Sequence, residues 1–289
     1  MVKISYIIPI TKMELFSKNY FDILNSDKNP DNQYVLLLDS DKQDEINKLE
    51  KLEKECVNKN VMYFKCNFAS PGSTRNLGKK NAQGDWVVFL DSDDEPSVQE
   101  YRNSIEKYSS STEIIINSFI KKDLISGREK QYTFNINERK NIWTFIQNPG
   151  IWRISFKQEL IHDIDFINSR MGEDQLFIAQ CLLKTTKEIK FTDNAVYKYC
   201  IGNPDQLTFH KKALKDIERS INQLFDTLKS DNRNRYSYIC QIMLIKMMIT
   251  LFTRNKKMII RYLHMLFLTI YSLILEYFKS AKRKINISK

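Results

Sequence analysis

The sequence predicts an α/β protein: a mostly parallel sheet flanked by helices, with a helical extension at the C-terminal side. Three observations predict it. Short apolar runs at 4–10, 34–38, 61–64 and 86–90 alternate with helical patterns. Two of these runs end in acids, Asp39-Ser40-Asp41 and Asp91-Ser92-Asp93-Asp94. Beyond residue 212 the chain turns into long apolar helical patterns with a basic bias. We therefore divide it into 1–212 and 213–289.

The first run, 4–10, is stopped by Pro9-Ile10-Thr11. A helix with Leu15, Phe16, Tyr20 and Ile23 on one face follows, then the second strand and a charged helix over 44–54. The third strand leads to a helix predicted over 73–83, closed by Gly84 as a left-handed cap. Strand, helix, strand repeats of this kind give parallel pairing with right-handed crossovers. A helix after Ser97 carries Tyr101, Ile105 and Tyr108 on one face. Segments 113–124 and 129–134 flank Ser126-Gly127 as a hairpin. Segment 151–154 reads as another strand and 188–199 as a late one.

Composition excludes several classes. At 42% hydrophobic and 28% charged, the 289 residues are globular and not disordered. Five scattered cysteines, with no C-x-x-C pair, fit neither a disulfide framework nor a zinc ribbon, and suit a reducing compartment. His162, His210 and His264 are too far apart in sequence for a local metal site. The apolar run before Pro9 is shorter than a signal peptide requires, so a cytoplasmic location is expected. The net charge of +10 is uneven: residues 235–289 hold eleven Lys/Arg and one acid, Glu276, leaving 34 of each before them. A nucleic-acid binder would carry that excess on its folded domain, so no nucleic acid is expected as partner.

Three carboxylates within four residues at 91–94 repel one another unless a cation sits among them. Hard oxygen ligands at the carboxyl end of a parallel strand suit Mg²⁺ or Mn²⁺ carrying phosphates. The other reading is an acidic turn in which Asp94 or Ser97 caps the next helix. Asp39 and Asp41 form a second acidic strand end on the same expected rim, with helix capping again as the alternative. Glu173-Asp174, after the chain-breaking Gly172, opens an apolar-periodic helix, where acids are favoured by the helix dipole.

The run over 72–97 resembles the core of the family 2 glycosyltransferases, which have the Rossmann-like GT-A fold. The matching features are the small-residue turn at Gly72, Arg75-Asn76, a helix closed near Gly84, and an apolar strand into Asp91-Ser92-Asp93-Asp94. The resemblance covers roughly residues 1–210 and is strongest at 4–11, 72–97 and 172–175. It implies an inverting, metal-dependent transfer of a hexose or N-acetylhexosamine from a nucleotide-sugar, most often UDP-linked, to a glycan hydroxyl. It places Pro9, Thr11, Asp39, Arg75, Asp91, Ser92 and Asp93 at the nucleotide-sugar. Asp39 would meet the base. Asp93, with Asp91, would ligate Mn²⁺ or Mg²⁺. It makes Asp174 the general base with Glu173 as its orienting neighbour. Trp152 and Arg153 fall where the family meets its acceptor, and Trp143 is a second candidate for stacking on a sugar. Both tryptophans are equally read as core residues.

The chain departs from that pattern in two places. The family often has Asp-Asp-Gly-Ser where this chain has Asp39-Ser40-Asp41-Lys42. The basic residue expected after Tyr199 is replaced by Cys200, leaving Lys198, His210 or Lys211 as substitutes. A polyprenyl-phosphate glycosyltransferase, a nucleotidyltransferase and a non-catalytic membrane-bound scaffold are the alternatives. The nucleotidyltransferase would carry a Gly-rich loop, which Pro9-Ile10-Thr11-Lys12 lacks.

In the tail, polar positions at 257, 261, 264, 272, 276, 279 and 283 trace a narrow stripe on a broad apolar helix. The stretch free of charge and His, 265–275, is shorter than the ~20 residues that span a bilayer. Segment 236–289 is expected to lie on the inner face of the cell membrane, where a lipid-linked glycan acceptor would also reside. A helical contact in a homo-oligomer is the alternative.

Overall fold

The computed structural model describes residues 2–16, 18–134, 138–202, 214–230, 234–255 and 258–287. The chain forms two compact units: 1–170 with 185–209, and 171–184 with 210–289.

The first unit is built on a sheet of nine strands among the described residues: β1 (Ile4–Ile10), β2 (Asn32–Asp39), β3 (Val61–Cys66), β4 (Trp86–Phe89), β5 (Glu95–Pro96), β6 (Ile114–Asp123), β7 (Glu129–Tyr132), β8 (Ile154–Lys157) and β9 (Lys190–Ile201). The order is β3-β2-β1-β4-β8-β6-β9-β5, with β7 beside β6. Strands β3, β2, β1 and β4 are parallel; β8 joins β4 and β6 antiparallel, and β9 runs parallel to β6. This is the expected α/β GT-A sheet, parallel in its first half and mixed beyond it.

Strands β1, β2 and β4 are buried along nearly their whole length. Their near-continuous apolar sequences follow from burial on both faces. The chain leaves β1 towards β2 on one side and returns to β4 on the other, so the strand order reverses between β1 and β4. Such a reversal opens a crevice at the carboxyl ends of the strands. At or just beyond those ends stand Thr11, Asp39 and Asp91.

The helices of this unit are α1 (Lys18–Ser26), α2 (Gln43–Glu55), α3 (Pro71–Asn81), α4 (Val98–Tyr108), α5 (Glu138–Gln147) and α6 (Gln158–Ile161). Leu15 lies in a separate 3₁₀ turn, Met13–Leu15, and not on α1. Helix α3 ends at Asn81, ahead of Gly84. Gly84 is not a left-handed cap, because its φ is not positive. A Cβ there would lie 2.6 Å from the Ser5 nitrogen and 2.8 Å from the Ile4 carbonyl carbon, so close backbone approach requires the glycine. The Gly84 N–H donates to Ser5 Oγ at 2.8 Å. Gly78 does the same for helix against sheet: its Cβ would meet Ile7 Cγ2 at 2.4 Å. Segment 151–154 is not a strand throughout; Ile151–Arg153 forms a 3₁₀ turn and β8 begins at Ile154.

The second unit contains α7 (Glu173–Lys184), α8 (Leu214–Ser230), α9 (Ser237–Arg254) and α10 (Met258–Ile287). Gly172 precedes α7 with φ +84°, and a Cβ there would press on Ser220 Oγ at 3.0 Å. Buried Leu176, Ile178, Ala179, Cys181 and Leu182 of α7 pack in a bundle with Ile221 and Leu224 of α8 and Ile239, Met243 and Leu244 of α9. Among the described residues no helix is long and apolar enough to cross a membrane.

Candidate active site

The acidic turn after β4 is held from both sides by tyrosines. Tyr20 donates to the Asp91 carbonyl at 2.8 Å, and the Asp91 N–H donates to Tyr197 Oη at 3.0 Å. Asp91 turns its side chain to Arg75 on α3, Nη2 to Oδ1 3.0 Å, and the Arg75 guanidinium lies 5.7 Å from the Phe166 ring centroid. Asp94 is buried and its Oδ1 accepts the Cys200 N–H at 2.7 Å. Ser97 is the N-cap of α4 without a side-chain cap bond. Side-chain capping by Ser97 is therefore absent, and Asp94 ties the turn to β9.

Asp93 stands between these groups. Burial pushes its carboxyl up to about 6, and the charge of Asp91 adds to the rise. Asp94 is raised well above the ordinary carboxylate range, first by burial, then by Asp91 and Asp93. Carboxylates held this close and this dry favour a proton or a cation among them. Among the described residues no cluster of three His, Cys, Asp or Glu could hold a metal by protein ligands alone. Asp91 and Asp93 fit the other kind of site, in which one or two carboxylates share the ion with phosphates and water.

Asp39 has a different surrounding. Its Oδ1 accepts the N–H groups of Phe68 at 2.6 Å and Ala69 at 3.0 Å; its Oδ2 accepts the Ser70 N–H at 3.1 Å and Thr74 Oγ1 at 2.9 Å. A carboxylate has about four lone-pair sites, so these bonds use its capacity. A base imide N–H would have to displace one of them. The bonds hold Ala69 at φ +50°, a conformation rare for a residue with a Cβ. Ser70 then caps α3 by accepting the Ser73 N–H, with Pro71 at the first helical position. Asp39 therefore fixes the loop that delivers Arg75.

Two residues to which the sequence assigned no role complete this frame. Asn76 clasps the Phe166 backbone, donating to its carbonyl at 2.8 Å and accepting its N–H at 2.9 Å. Lys79 is buried and donates to the carbonyls of Ile161 and Ile164 and to Asp165 Oδ1. The Arg75-Asn76 pair and Lys79, one turn on, carry the signal. Their partners lie about ninety positions away, which no local pattern reveals.

The acceptor candidates divide. Trp143 is exposed on α5. Trp152 is buried, stacked on Tyr197 and Tyr199 with centroids 4.6 and 5.3 Å away. Arg153 is fully buried: its guanidinium lies over the rings of Phe119 and Phe134, and Nε donates to the Asn117 carbonyl at 2.8 Å. Burial lowers its pKa to about 9. In this arrangement Trp152 and Arg153 are core groups, because both are buried and rings of Phe119, Phe134, Tyr197 and Tyr199 cover their faces.

Thr11 is exposed and Pro9 half-buried at the end of β1, and Ser92 is buried in the turn. Lys198 is ion-paired with Glu129 at 3.0 Å. His210 and Lys211 lie outside the described residues. Glu173 and Asp174 belong to the second unit, in the first turn of α7, where Glu173 is buried and Asp174 half-buried.

Residues 53–159 match the model of glycosyl transferase family 2. The chain is 24% identical over 208 residues to the poly(ribitol-phosphate) beta-N-acetylglucosaminyltransferase TarS of Staphylococcus aureus, covering 68% of this chain and 35% of the relative. It spans about a third of the length of the curated relatives it matches. Among solved structures, TarS 1–349 in complex with UDP-GlcNAc superposes with a TM-score of 0.65 at 17% identity, over 94% of this chain and 80% of that one. The mannosyltransferase PcManGT from Pyrobaculum calidifontis, in complex with GDP-Man and Mn²⁺, gives 0.60 at 10% identity, over 89% and 75%. These likenesses establish a shared fold.

Proposed function

We propose that the chain is a family 2 glycosyltransferase that transfers a hexose or N-acetylhexosamine from a UDP-sugar to an acceptor hydroxyl with inversion. The observation that carries this reading is the Asp91–Asp93 pair at the carboxyl end of β4, beside Arg75 and at the reversal of strand order. The match to the family model and the UDP-GlcNAc and GDP-Man complexes of fold relatives support it.

In this reading Asp93 and Asp91 would hold a divalent cation, Mn²⁺ or Mg²⁺, which would neutralise charge on the departing nucleotide diphosphate. Arg75, already aligned on Asp91, adds a fixed positive charge beside the phosphates. Asp39 acts through the 68–70 loop, which it holds in shape at the nucleotide end. Tyr20 and Tyr197 hold the backbone of Asp91, one of the two residues that would ligate the cation. Asp174 accepts the proton of the acceptor hydroxyl, and Glu173 orients it. Attack on the anomeric carbon from the face opposite the nucleotide inverts the configuration, so an α-linked donor yields a β-linked product. The acceptor is a glycan or polyol-phosphate polymer of the bacterial surface, a class suggested by the poly(ribitol-phosphate) named for TarS.

A screen of nucleotide-sugars with release of nucleotide diphosphate as readout tests this. The expected result is metal-dependent UDP release that Asp93→Asn lowers by about 10²–10³-fold. If no nucleotide-sugar is turned over and neither UDP with Mn²⁺ nor GDP with Mn²⁺ raises the melting temperature, the reading is rejected.

A further inference from the structure

Helix α10 exposes a long apolar face. On one side of the helix Thr269 is buried, and the Gln241 side chain of α9 donates to Ser272 Oγ at 3.1 Å. Tyr262, on the same side, is 1% exposed. Its apolar residues face outward. Ile260, Leu263, Phe267, Tyr271 and Ile274 recur every three or four residues and are exposed by 85, 57, 66, 54 and 47%. Phe267 and Tyr271 stack on each other at 6.5 Å. A contiguous aromatic and aliphatic stripe of this length on a surface marks an interaction site.

Charge decides among occupants. The sequence of the same helix continues through Lys279, Lys282, Arg283 and Lys284, and residues 235–289 contain eleven Lys/Arg against the single acid Glu276. Two copies brought together through this helix would pile like charge on like charge. A soluble polyanion would satisfy the lysines and leave the aromatic stripe in water. An anionic lipid surface satisfies both, since a basic amphipathic helix lies in the interface plane with its apolar side towards the acyl chains. The span of the helix is consistent with lying flat, because no described helix is apolar enough to cross.

We propose that the Ile260–Leu263–Phe267–Tyr271–Ile274 face of α10 is a docking surface for an anionic bilayer, with the basic segment that follows drawn to the headgroups. The inference stands apart from the glycosyl-transfer reading, and UDP release in solution is measured separately, so either can fail alone.

The test is flotation of the full chain with phosphatidylcholine–phosphatidylglycerol vesicles and with phosphatidylcholine vesicles. The expected result is binding to the anionic vesicles, weakened at least about tenfold without phosphatidylglycerol. It is also weakened at least about tenfold by Phe267→Glu with Ile274→Glu, at unchanged melting temperature. Absence of binding by the wild-type chain overturns the proposal, as does equal binding by the double variant. A lipid-free dimer that the double variant converts to monomer assigns the face to a second copy and overturns it. Binding of inorganic polyphosphate by both chains, with no vesicle binding by either, also overturns it. Should the double variant fail to fold, Ile260→Trp replaces it: a blue shift of its emission on adding anionic vesicles supports the proposal, and no shift refutes it.

Discussion

The tripeptide Asp-Ser-Asp occurs at the ends of two parallel strands, at 39–41 after β2 and at 91–93 after β4. The chemistry is the same in sequence and different in the fold. The first aspartate of the β2 copy is spent on four hydrogen bonds to the 68–70 loop and Thr74, and its third residue, Asp41, is exposed. The first aspartate of the β4 copy meets a guanidinium, and its third, Asp93, is half-buried in the field of Asp91. One copy builds the scaffold and the other is the proposed cation site. The difference lies in the neighbours each strand end acquires: backbone N–H groups at β2, another carboxylate at β4.

Substitutions can break this contrast. The largest effect is expected for Asp93→Asn, which removes a proposed metal ligand and should lower turnover by about 10²–10³-fold, the scale of losing one aimed electrostatic group. Its melting temperature should not fall, because the repulsion with Asp91 is relieved. A fall would place Asp93 in the scaffold instead. Asp39→Ala is expected to do the reverse, costing about 2–4 kcal/mol of stability in denaturant titration as charge-assisted hydrogen bonds to the loop are lost. An unchanged denaturation midpoint would remove Asp39 from the scaffold.

The acid side of the contrast is open to pH. Asp93 binds its proton more tightly folded, at about 6, than at the ordinary 3.8. Protonation of Asp93 thus favours the folded state at low pH, and that contribution is lost as pH rises through about 6. A divalent cation competes with the same proton. The melting-temperature gain from Mn²⁺ with UDP should therefore be full near neutral pH and shrink below about 6; a gain that persists unchanged in acid would exclude Asp93 as ligand. The smallest effect is expected for Asp41→Asn. It alters the tripeptide and leaves its work untouched, so stability and turnover should stay within about 0.5 kcal/mol of the parent.

The alternation of strands and helices was legible because it rests on local periodicity, and the β4 acids were legible because they are contiguous. Other features were hidden by distance. Gly84 has the sequence look of a helix cap, yet it is the approach of Ser5 that forbids a side chain there. Trp152 and Arg153 carry stacking and ionic chemistry in sequence, but rings from β6 and β9 close over them. Asn76 and Lys79 reveal their function only through residues 161–166. The amphipathic pattern of α10 was visible, whereas the bond from Gln241 to Ser272 across the helix pair was not.

Sequence alone determined that strands of continuous apolar residues would be buried on both faces, that acids would stand at their ends, and that the positive charge would collect in residues 235–289. Each is a property of neighbours along the chain. Only the tertiary structure decided which carboxylate is saturated by hydrogen bonds and which is raised by burial beside another carboxylate. A carboxyl group's protonation and ligands are set by the dielectric, donors and charges within a few ångströms, and here those come from segments between sixteen and more than a hundred residues away.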